Sequence, residues 1–252
     1  MTRLKKYKKD FEYSYVLGPF PTLELVDCKP EIIEKVYISP DFNEVEKVKK
    51  KLEELSIPYE ISQDNLNRIS LKKKEYMAAT FKKYSCQIKR GSNHIILDRV
   101  SDMGNLGTII RTMTGFGYSD VALIGNCCDI YNPKVIRGSM GSIFKINFEN
   151  FSSLEEYQNL HDNEIYAFML DDSAKLLKDV NFSNNFTLAF GNEGSGLGEE
   201  YETEDINKVI IPQSDKVDSL NLTIAAAVAM YEAKKWGCVR MIKFWYALLF
   251  FI

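Results

Sequence analysis

Three stretches of this 252-residue chain combine small residues with polar side chains suited to holding a ligand. The first is Ser101-Asp102-Met103-Gly104-Asn105-Leu106-Gly107, with Arg111 four residues further on. The second is Gly191-Asn192-Glu193-Gly194-Ser195-Gly196-Leu197, and the third runs from Ile211-Pro212 to Ser219-Leu220-Asn221. Glycines let a ligand approach the main chain closely. Asn105, Glu193, Ser219 and Asn221 supply polar side chains able to hydrogen-bond a ligand. Arg111 carries a planar fork of donors that matches phosphate or sugar oxygens. Each stretch also has a plainer reading: a tight turn at the glycines, a helix cap at Asn105 or Ser219, a solvated Arg111. The second stretch is not G-x-G-x-x-G and no G-K-[ST] follows it, so neither the dinucleotide fingerprint nor the P-loop is matched.

Metal and thiol chemistry find little support. There are five cysteines and two histidines, His94 and His161, and no C-x-x-C pair. That composition argues against a zinc site and against a disulfide framework. The N-terminus is charged and aromatic rather than signal-like. Reduced thiols and a cytoplasmic location are the expectation. The apolar run from Phe244 to the end is much shorter than the ~20 residues that span a bilayer, so burial against the body or a partner chain is expected there.

The elements that must position these stretches follow from the apolar pattern. Short β-prone runs are expected at Lys35–Ser39 and Ile57–Ile61, around a helix over Asn43–Leu55 whose Val45, Val48, Leu52 and Leu55 share one face. From residue 93 strands are expected at His94–Leu97, Val121–Ile124, Ile165–Leu170, Phe186–Phe190 and Val209–Ile211. Helices are expected at Leu106–Phe116, Ser153–Leu160 and Leu222–Trp236. Such alternation predicts an α/β fold with a parallel sheet covered on both faces, whose ligands bind beyond the strand C-termini. The charge is uneven: 19 Lys and Arg against 14 Asp and Glu in residues 1–92, and 13 against 21 thereafter, although the whole chain is only −3. A basic first part reads as a polyanion-gripping unit joined to a different body near residue 92. Its candidate phosphate contacts are Lys5, Lys6, Lys8, Lys9, Lys72, Lys73, Lys74, Lys82, Lys83, Lys89 and Arg90. The Lys49–Lys51 run, with its neighbouring glutamates, reads equally well as a solvated helix face.

Taken in order, Asn105-x-Gly107-x-x-x-Arg111, Phe190-Gly191-Asn192-Glu193-Gly194-x-Gly196-Leu197 and Ile211-Pro212 with Ser219-Leu220-Asn221-Leu222-Thr223 closely resemble the three motifs of the SpoU/TrmH RNA ribose methyltransferases of the SPOUT superfamily. Phe116-Gly117 and the run Asn132 to Gly141 agree with the same pattern. The resemblance covers about residues 93–236. More loosely, residues 1–92 resemble the substrate-binding domain, similar to ribosomal protein L30e, found ahead of this catalytic domain. It implies three parts: an L30e-like unit over 1–92, a catalytic domain over 93–237 ending in a deep trefoil knot, and an apolar tail over 238–252 that has no counterpart in the family pattern.

What the resemblance implies chemically is methyl transfer from S-adenosylmethionine to a ribose 2′-hydroxyl of RNA, rRNA favoured over tRNA, by a homodimer without a metal. It assigns cofactor contacts to Phe190, Gly191, Glu193, Gly196, Ile211 and Leu220, and catalysis to Arg111 helped by Asn105, Glu193, Ser219 and Asn221. A guanidinium pKa above about 12 makes Arg111 a better anchor for phosphate or ribose oxygen than a proton acceptor. Two other readings compete: an RNA-binding protein of this fold that has lost catalysis, and a doubly wound oxidoreductase. The first would be favoured by loss of Asn105, Arg111, Glu193 or Asn221, all of which are present. The second requires a three-glycine turn after the first strand that SDMGNLG lacks.

Overall fold

The computed structural model describes residues 4–72 and 74–234. Lys73, the tail over 238–252 and the end of the helix expected to reach Trp236 lie outside the described residues. The first unit contains β1 (Tyr13–Leu17), α1 (Pro19–Cys28), β2 (Ile33–Ile38), α2 (Val45–Glu54), β3 (Tyr59–Ile61), α3 (Gln63–Ile69) and β4 (Met77–Lys82). Its four strands lie in the order β1-β4-β2-β3, with β4 antiparallel to both neighbours and β2 parallel to β3. Helix α2 buries Val48 and Leu52 and turns its charges outward. There Lys47, Lys49 and Lys50 pair with Glu44, Glu46 and Glu54 at helical spacing, and Lys51 pairs across to Asp27 of α1, so the Lys49–Lys51 run is matched by carboxylates of the protein itself.

The second unit contains β5 (His94–Asp98), α4 (Met103–Gly115), β6 (Asp120–Ile124), α5 (Pro133–Gly138), β7 (Asn147–Phe151), α6 (Leu154–Gln158), β8 (Glu164–Phe168), β9 (Lys175–Leu176), β10 (Phe186–Phe190), β11 (Asn207–Ile210) and α7 (Leu222–Ala233). Its strands form one parallel sheet in the order β7-β6-β5-β10-β8-β11-β9. The strands at its centre are apolar on both faces, as burial beneath two helical layers requires. All five residues of β5, β6 and β10 are buried.

The two sheets share a continuous apolar core that includes Val16 and Phe81 from the first unit and Tyr131, Phe144 and Phe148 from the second. The chain between β4 and β5 is part of this contact rather than a free linker. Cys86 lies against the main chain of Phe148, the Ile88 N–H donates to Glu149 (3.1 Å) and the Lys89 N–H to Asp120 (2.9 Å). The connector thereby covers the β7 edge of the sheet, where open strand hydrogen bonds would otherwise invite other chains. Among the described residues no helix is long and apolar enough to cross a membrane.

Candidate functional site

Because the sheet is parallel, the loops after β5, β10, β8 and β11 all leave from one edge. Strand β10 lies directly between β5 and β8, with Phe190 beside Leu97 and Ala189 beside Ala167. The first and second sequence stretches therefore emerge from adjacent strands, 90 residues apart in the chain.

Glu193 joins them. Its carboxylate accepts from the Ser101 N–H (3.3 Å) and hydroxyl (3.2 Å), the Asp102 N–H (3.1 Å) and the Asn105 amide (3.0 Å). Partial burial alone would raise its pKa, but the donors from Asn105, Asp102 and Ser101 hold it below the usual carboxylate value. Asp102 caps α4 by accepting the Asn105 N–H at 2.7 Å. A carboxylate gathering the free N–H groups ahead of a helix suits the positive end of the helix dipole.

The glycine stretch folds back on itself, with Asn192 and Gly196 exchanging main-chain hydrogen bonds at 3.1 and 2.9 Å. A Cβ on Gly191 would lie 2.2 Å from the Gly196 carbonyl carbon and 2.3 Å from the Leu197 nitrogen, so only glycine permits this closure. The Asn192 side chain accepts from the Gly194 N–H (2.9 Å) and donates to the Arg99 carbonyl (2.8 Å). Arg99 is a non-glycine residue in the left-handed region, with φ 54, a conformation that costs on the order of 1–2 kcal/mol. Its guanidinium meets Asp98 at 2.7 Å and Glu200 at 3.2 Å, which holds the turn after β5 in place. Burial pushes the Asp98 carboxyl up, opposed by the Tyr201 hydroxyl and Arg99. Arg99, Asn192, Ser101 and Asp102 are site-building residues that the sequence reading did not single out. Asp102, an aspartate at a helix start, carried a legible capping signal; Arg99 carried none.

A close approach of α4 and α5 fixes the rest of the first stretch. A Cβ on Gly107 would sit 2.7 Å from the Val135 carbonyl oxygen and 3.0 Å from Gly138 Cα. Asn132 caps α5 by accepting the Lys134 N–H (3.0 Å). Phe190 is buried and its ring stacks on Phe168 at 4.8 Å, so only its main chain faces the loops. Ile211 and Leu220 are half-buried apolar side chains, while residues 193–196 are exposed.

Not every expected residue joins this cluster. Asn221, rather than Ser219, caps α7, accepting from the Thr223 N–H at 2.8 Å and its hydroxyl at 2.6 Å. The helix begins at Leu222, which puts Ser219 two residues too far out to cap it; Ser219 is exposed and its side chain makes no hydrogen bond among the described residues. Arg111 is exposed on α4 and has no hydrogen bond or ion pair among the described residues. It lies six residues beyond Asn105, about 9 Å along the axis and about 240° around it, so within one chain it does not face Glu193. Of the basic residues, Lys5, Lys6, Lys8, Lys9, Lys72, Lys82, Lys89 and Arg90 are exposed. Lys74 is engaged by Asp41 at 2.8 Å. Lys83 is half-buried over the Tyr7 ring at 5.0 Å, and burial pushes its pKa down. Lys83 is thus committed within the protein, whereas the Lys74 pair lies at the surface, where such pairs are weak and open to exchange. Among the described residues no group of three or more His, Cys, Asp or Glu side chains is placed to hold a metal ion.

Comparison with known proteins agrees with this arrangement. Residues 92–231 match the model of the SpoU rRNA Methylase family. A 23S rRNA (guanosine(2553)-2′-O)-methyltransferase of Bacillus subtilis is 32% identical over 143 residues, 56% of this chain and 57% of that protein. An uncharacterized tRNA/rRNA methyltransferase of Synechocystis is 33% identical over 143 residues, 56% of this chain and 52% of that protein. The chain spans about half the length of these curated relatives. The crystal structure of an AdoMet-bound rRNA methyltransferase from Sinorhizobium meliloti superposes with a TM-score of 0.75 at 26% identity, covering 88% of this chain and 87% of that one. With more than half its length inside the family's pattern, and with two of that pattern's loops joined through Glu193, the chain belongs to the SpoU rRNA methylase family.

Proposed function

We propose that this protein is a cytoplasmic methyltransferase that uses S-adenosylmethionine to methylate a ribose 2′-hydroxyl in structured RNA, with rRNA favoured over tRNA. The observation that carries the reading is the Glu193 carboxylate, which ties the exposed glycine hairpin to the start of α4 beside Asn105. The residues present fit the cofactor. In this reading main chain at Phe190, Gly191, Glu193 and Gly196 reads adenine, Gly196 through the spare lone pair of its carbonyl since its N–H is bonded to Asn192, and Ile211 and Leu220 offer half-buried apolar walls. When bound, S-adenosylmethionine supplies a methyl group on a positively charged sulfur. The chain's own task is to align the ribose hydroxyl and ease its proton away; alignment of this kind is worth roughly 7–11 kcal/mol. Asn105 and Glu193 orient the sugar by hydrogen bonds, Ser219 and Asn221 contribute from the α7 end, and Arg111 grips the neighbouring phosphate or ribose oxygen.

Arg111 points away from Glu193 of its own chain, which favours a homodimer in which the site is completed near the subunit interface. The exposed stripe Ile224, Val228 and Tyr231 on α7 (53%, 41% and 57% exposed) is the face offered for that contact. In this reading residues 1–92 hold the RNA, 93–237 form the catalytic domain, and a trefoil knot shapes the cofactor pocket.

The test incubates the protein with tritiated cofactor and separated tRNA and rRNA pools, then maps the alkali-resistant linkage. Arg111→Ala is expected to keep cofactor affinity and lose transfer. Normal turnover of that variant would refute its role, and RNA binding without any transfer by the wild type would make the protein a non-catalytic relative.

A further inference from the structure

A cleft of about 420 Å³ opens where the N-terminal arm crosses the loop after β6. Tyr7, Lys8 and Lys9 line it from the arm, and Asn126, Ser101 and Met103 from the second unit. Ser101 fixes its place in the molecule, since the same residue donates to Glu193. In the sheet β5 stands between β6 and β10. The cleft thus lies on one side of the Ser101 turn and the glycine hairpin on the other.

The arm is held in position before any ligand arrives. The Tyr7 hydroxyl donates to the Asp129 carboxylate, the Tyr15 hydroxyl to the Lys5 carbonyl (2.6 Å) and the Lys83 ammonium to the Lys9 carbonyl (2.7 Å). Asp129, the acid of the cleft, also accepts the Tyr131 N–H at 3.0 Å. Its oxygens are thereby turned to the protein, although its charge remains; against that one negative charge stand Lys8 and Lys9, which are exposed and form no ion pair among the described residues. The Asn126 side chain has no hydrogen bond among the described residues, and Asn132 uses only its carbonyl oxygen to cap α5. The cleft therefore offers two uncommitted cations, two amide groups with donors to spare and the face of the Tyr7 ring opposite Lys83. Cations suit a phosphate, amides suit the edge of an unpaired base, and the ring suits its face. The volume falls in the range of small-ligand pockets.

We infer that this cleft receives one nucleotide of the RNA substrate, adjoining the one whose ribose is methylated, with its phosphate on Lys8 and Lys9 and its base against Asn126 and Asn132. The inference rests on the RNA-methylating function proposed above and adds a place where sequence is read.

The test uses the full chain and fluorescence anisotropy with 12-nucleotide oligo(A), oligo(C) and oligo(U). The altered side chains are exposed, and thermal melts confirm folding of each variant. The Lys8→Ala/Lys9→Ala double variant is expected to bind all three RNAs about tenfold more weakly, with a slope of log affinity against log salt smaller by up to about two. Wild type is expected to rank the three RNAs at least about threefold apart, and Asn126→Ala to compress that ranking while keeping the mean affinity. Unchanged affinity in the double variant, or a ranking that Asn126→Ala leaves as it was, overturns the assignment. Since binding is read without turnover, RNA binding with these effects but no methyl transfer would remove the proposed function and leave the cleft. Transfer by a double variant with unaltered RNA affinity would do the reverse.

Discussion

The two ends of the seven-stranded sheet are built from similar polar residues used in opposite ways. At the C-terminal ends the polar groups are exposed: Glu193 after β10 gathers donors from the turn after β5, while the side chains of Asn126 after β6 and Ser219 after β11 make no hydrogen bond among the described residues. At the N-terminal ends the polar groups are buried and almost all matched. His94 and Thr187 sit side by side at the start of β5 and β10. The His94 Nε2 donates to the Lys89 carbonyl at 2.8 Å, and its Nδ1 accepts from the Tyr157 hydroxyl at 2.7 Å, which lies 2.7 Å from the Thr187 hydroxyl. Asp120, beside His94 at the start of β6, collects the Lys89 N–H and the Asn147 amide, both at 2.9 Å. Satisfied buried networks rigidify a fold; exposed groups without partners are what a ligand can use. One end holds the sheet closed, and the other presents the polar groups that the proposed function would use.

The sharpest way to break this contrast is Gly191→Ala. The added carbon meets main chain on Gly196 and Leu197 rather than a yielding side chain, so the hairpin must open. Cofactor affinity measured by calorimetry is expected to fall at least about 100-fold, or about 2.7 kcal/mol, out of proportion to the fall in melting temperature that the buried Gly191 brings, because the hairpin residues 193–196 beyond it are exposed. Wild-type affinity in this variant would remove the glycine hairpin from the site.

Tyr157→Phe probes the other end and should give the opposite pattern. Tyr157 is fully buried, and losing its hydroxyl strands both His94 Nδ1 and Thr187. A buried group left without its partner costs about 1–3 kcal/mol, which at about 2–4 °C per kcal/mol for a chain of this size appears as a lower melting temperature. Cofactor affinity should stay at the wild-type value. Equal loss of stability and binding would mean that the two ends are coupled through the strands.

The same contrast explains what the sequence made legible. Strand β10 ends where the apolar run Phe186–Phe190 ends, and β5 and β6 extend the expected runs by one residue each. Buried parallel strands announce themselves by continuous apolar stretches. The edge strand β7 does not: in Asn147-Phe148-Glu149-Asn150-Phe151 each face mixes polar and apolar side chains, Phe148 packing on one side of the sheet and Phe151 on the other, and the residues that cover it come from the connector 61 residues earlier. In β4 two alanines within Met77–Lys82 hide a strand behind helix-prone composition. At the site, the three loops could be found because small and polar residues interrupt the pattern. That Glu193 meets Ser101, Asp102 and Asn105 depends on β10 inserting beside β5, an order that no local signal encodes. Arg99 was illegible for a related reason: arginine has no preference for left-handed backbone, and it is held there by distant residues, Ile124, Asn192 and Glu200, together with Asp98.

The smallest effect, and the one that separates the two ends on a single axis, is the response to acid. Burial pushes the pKa of both His94 and His161 below the ordinary histidine value, and for His161 the neighbouring His94 adds to the depression. The unfolded chain takes up these protons near pH 6.5, where the folded one resists them. Stability from this source is therefore complete above about pH 6.5 and declines as pH falls below it, by at most about 1.4 kcal/mol per pH unit for each histidine. Glu193 has a depressed pKa of the carboxylate kind, so its contribution persists at pH values above the ordinary carboxylate range and is lost only as pH falls through its own lower pKa. The chain has two histidines and no others, and no other side chain of unperturbed pKa titrates between pH 7.5 and 6. Melting followed from pH 7.5 to 6 should fall by the equivalent of about 1 kcal/mol, while cofactor affinity over the same range stays flat because the hairpin is still tied to α4. A melting temperature that does not move would mean that His94 and His161 accept protons in the folded state. The Tyr157 hydroxyl would then be donating to Thr187 and accepting from His94, with the network reversed rather than broken.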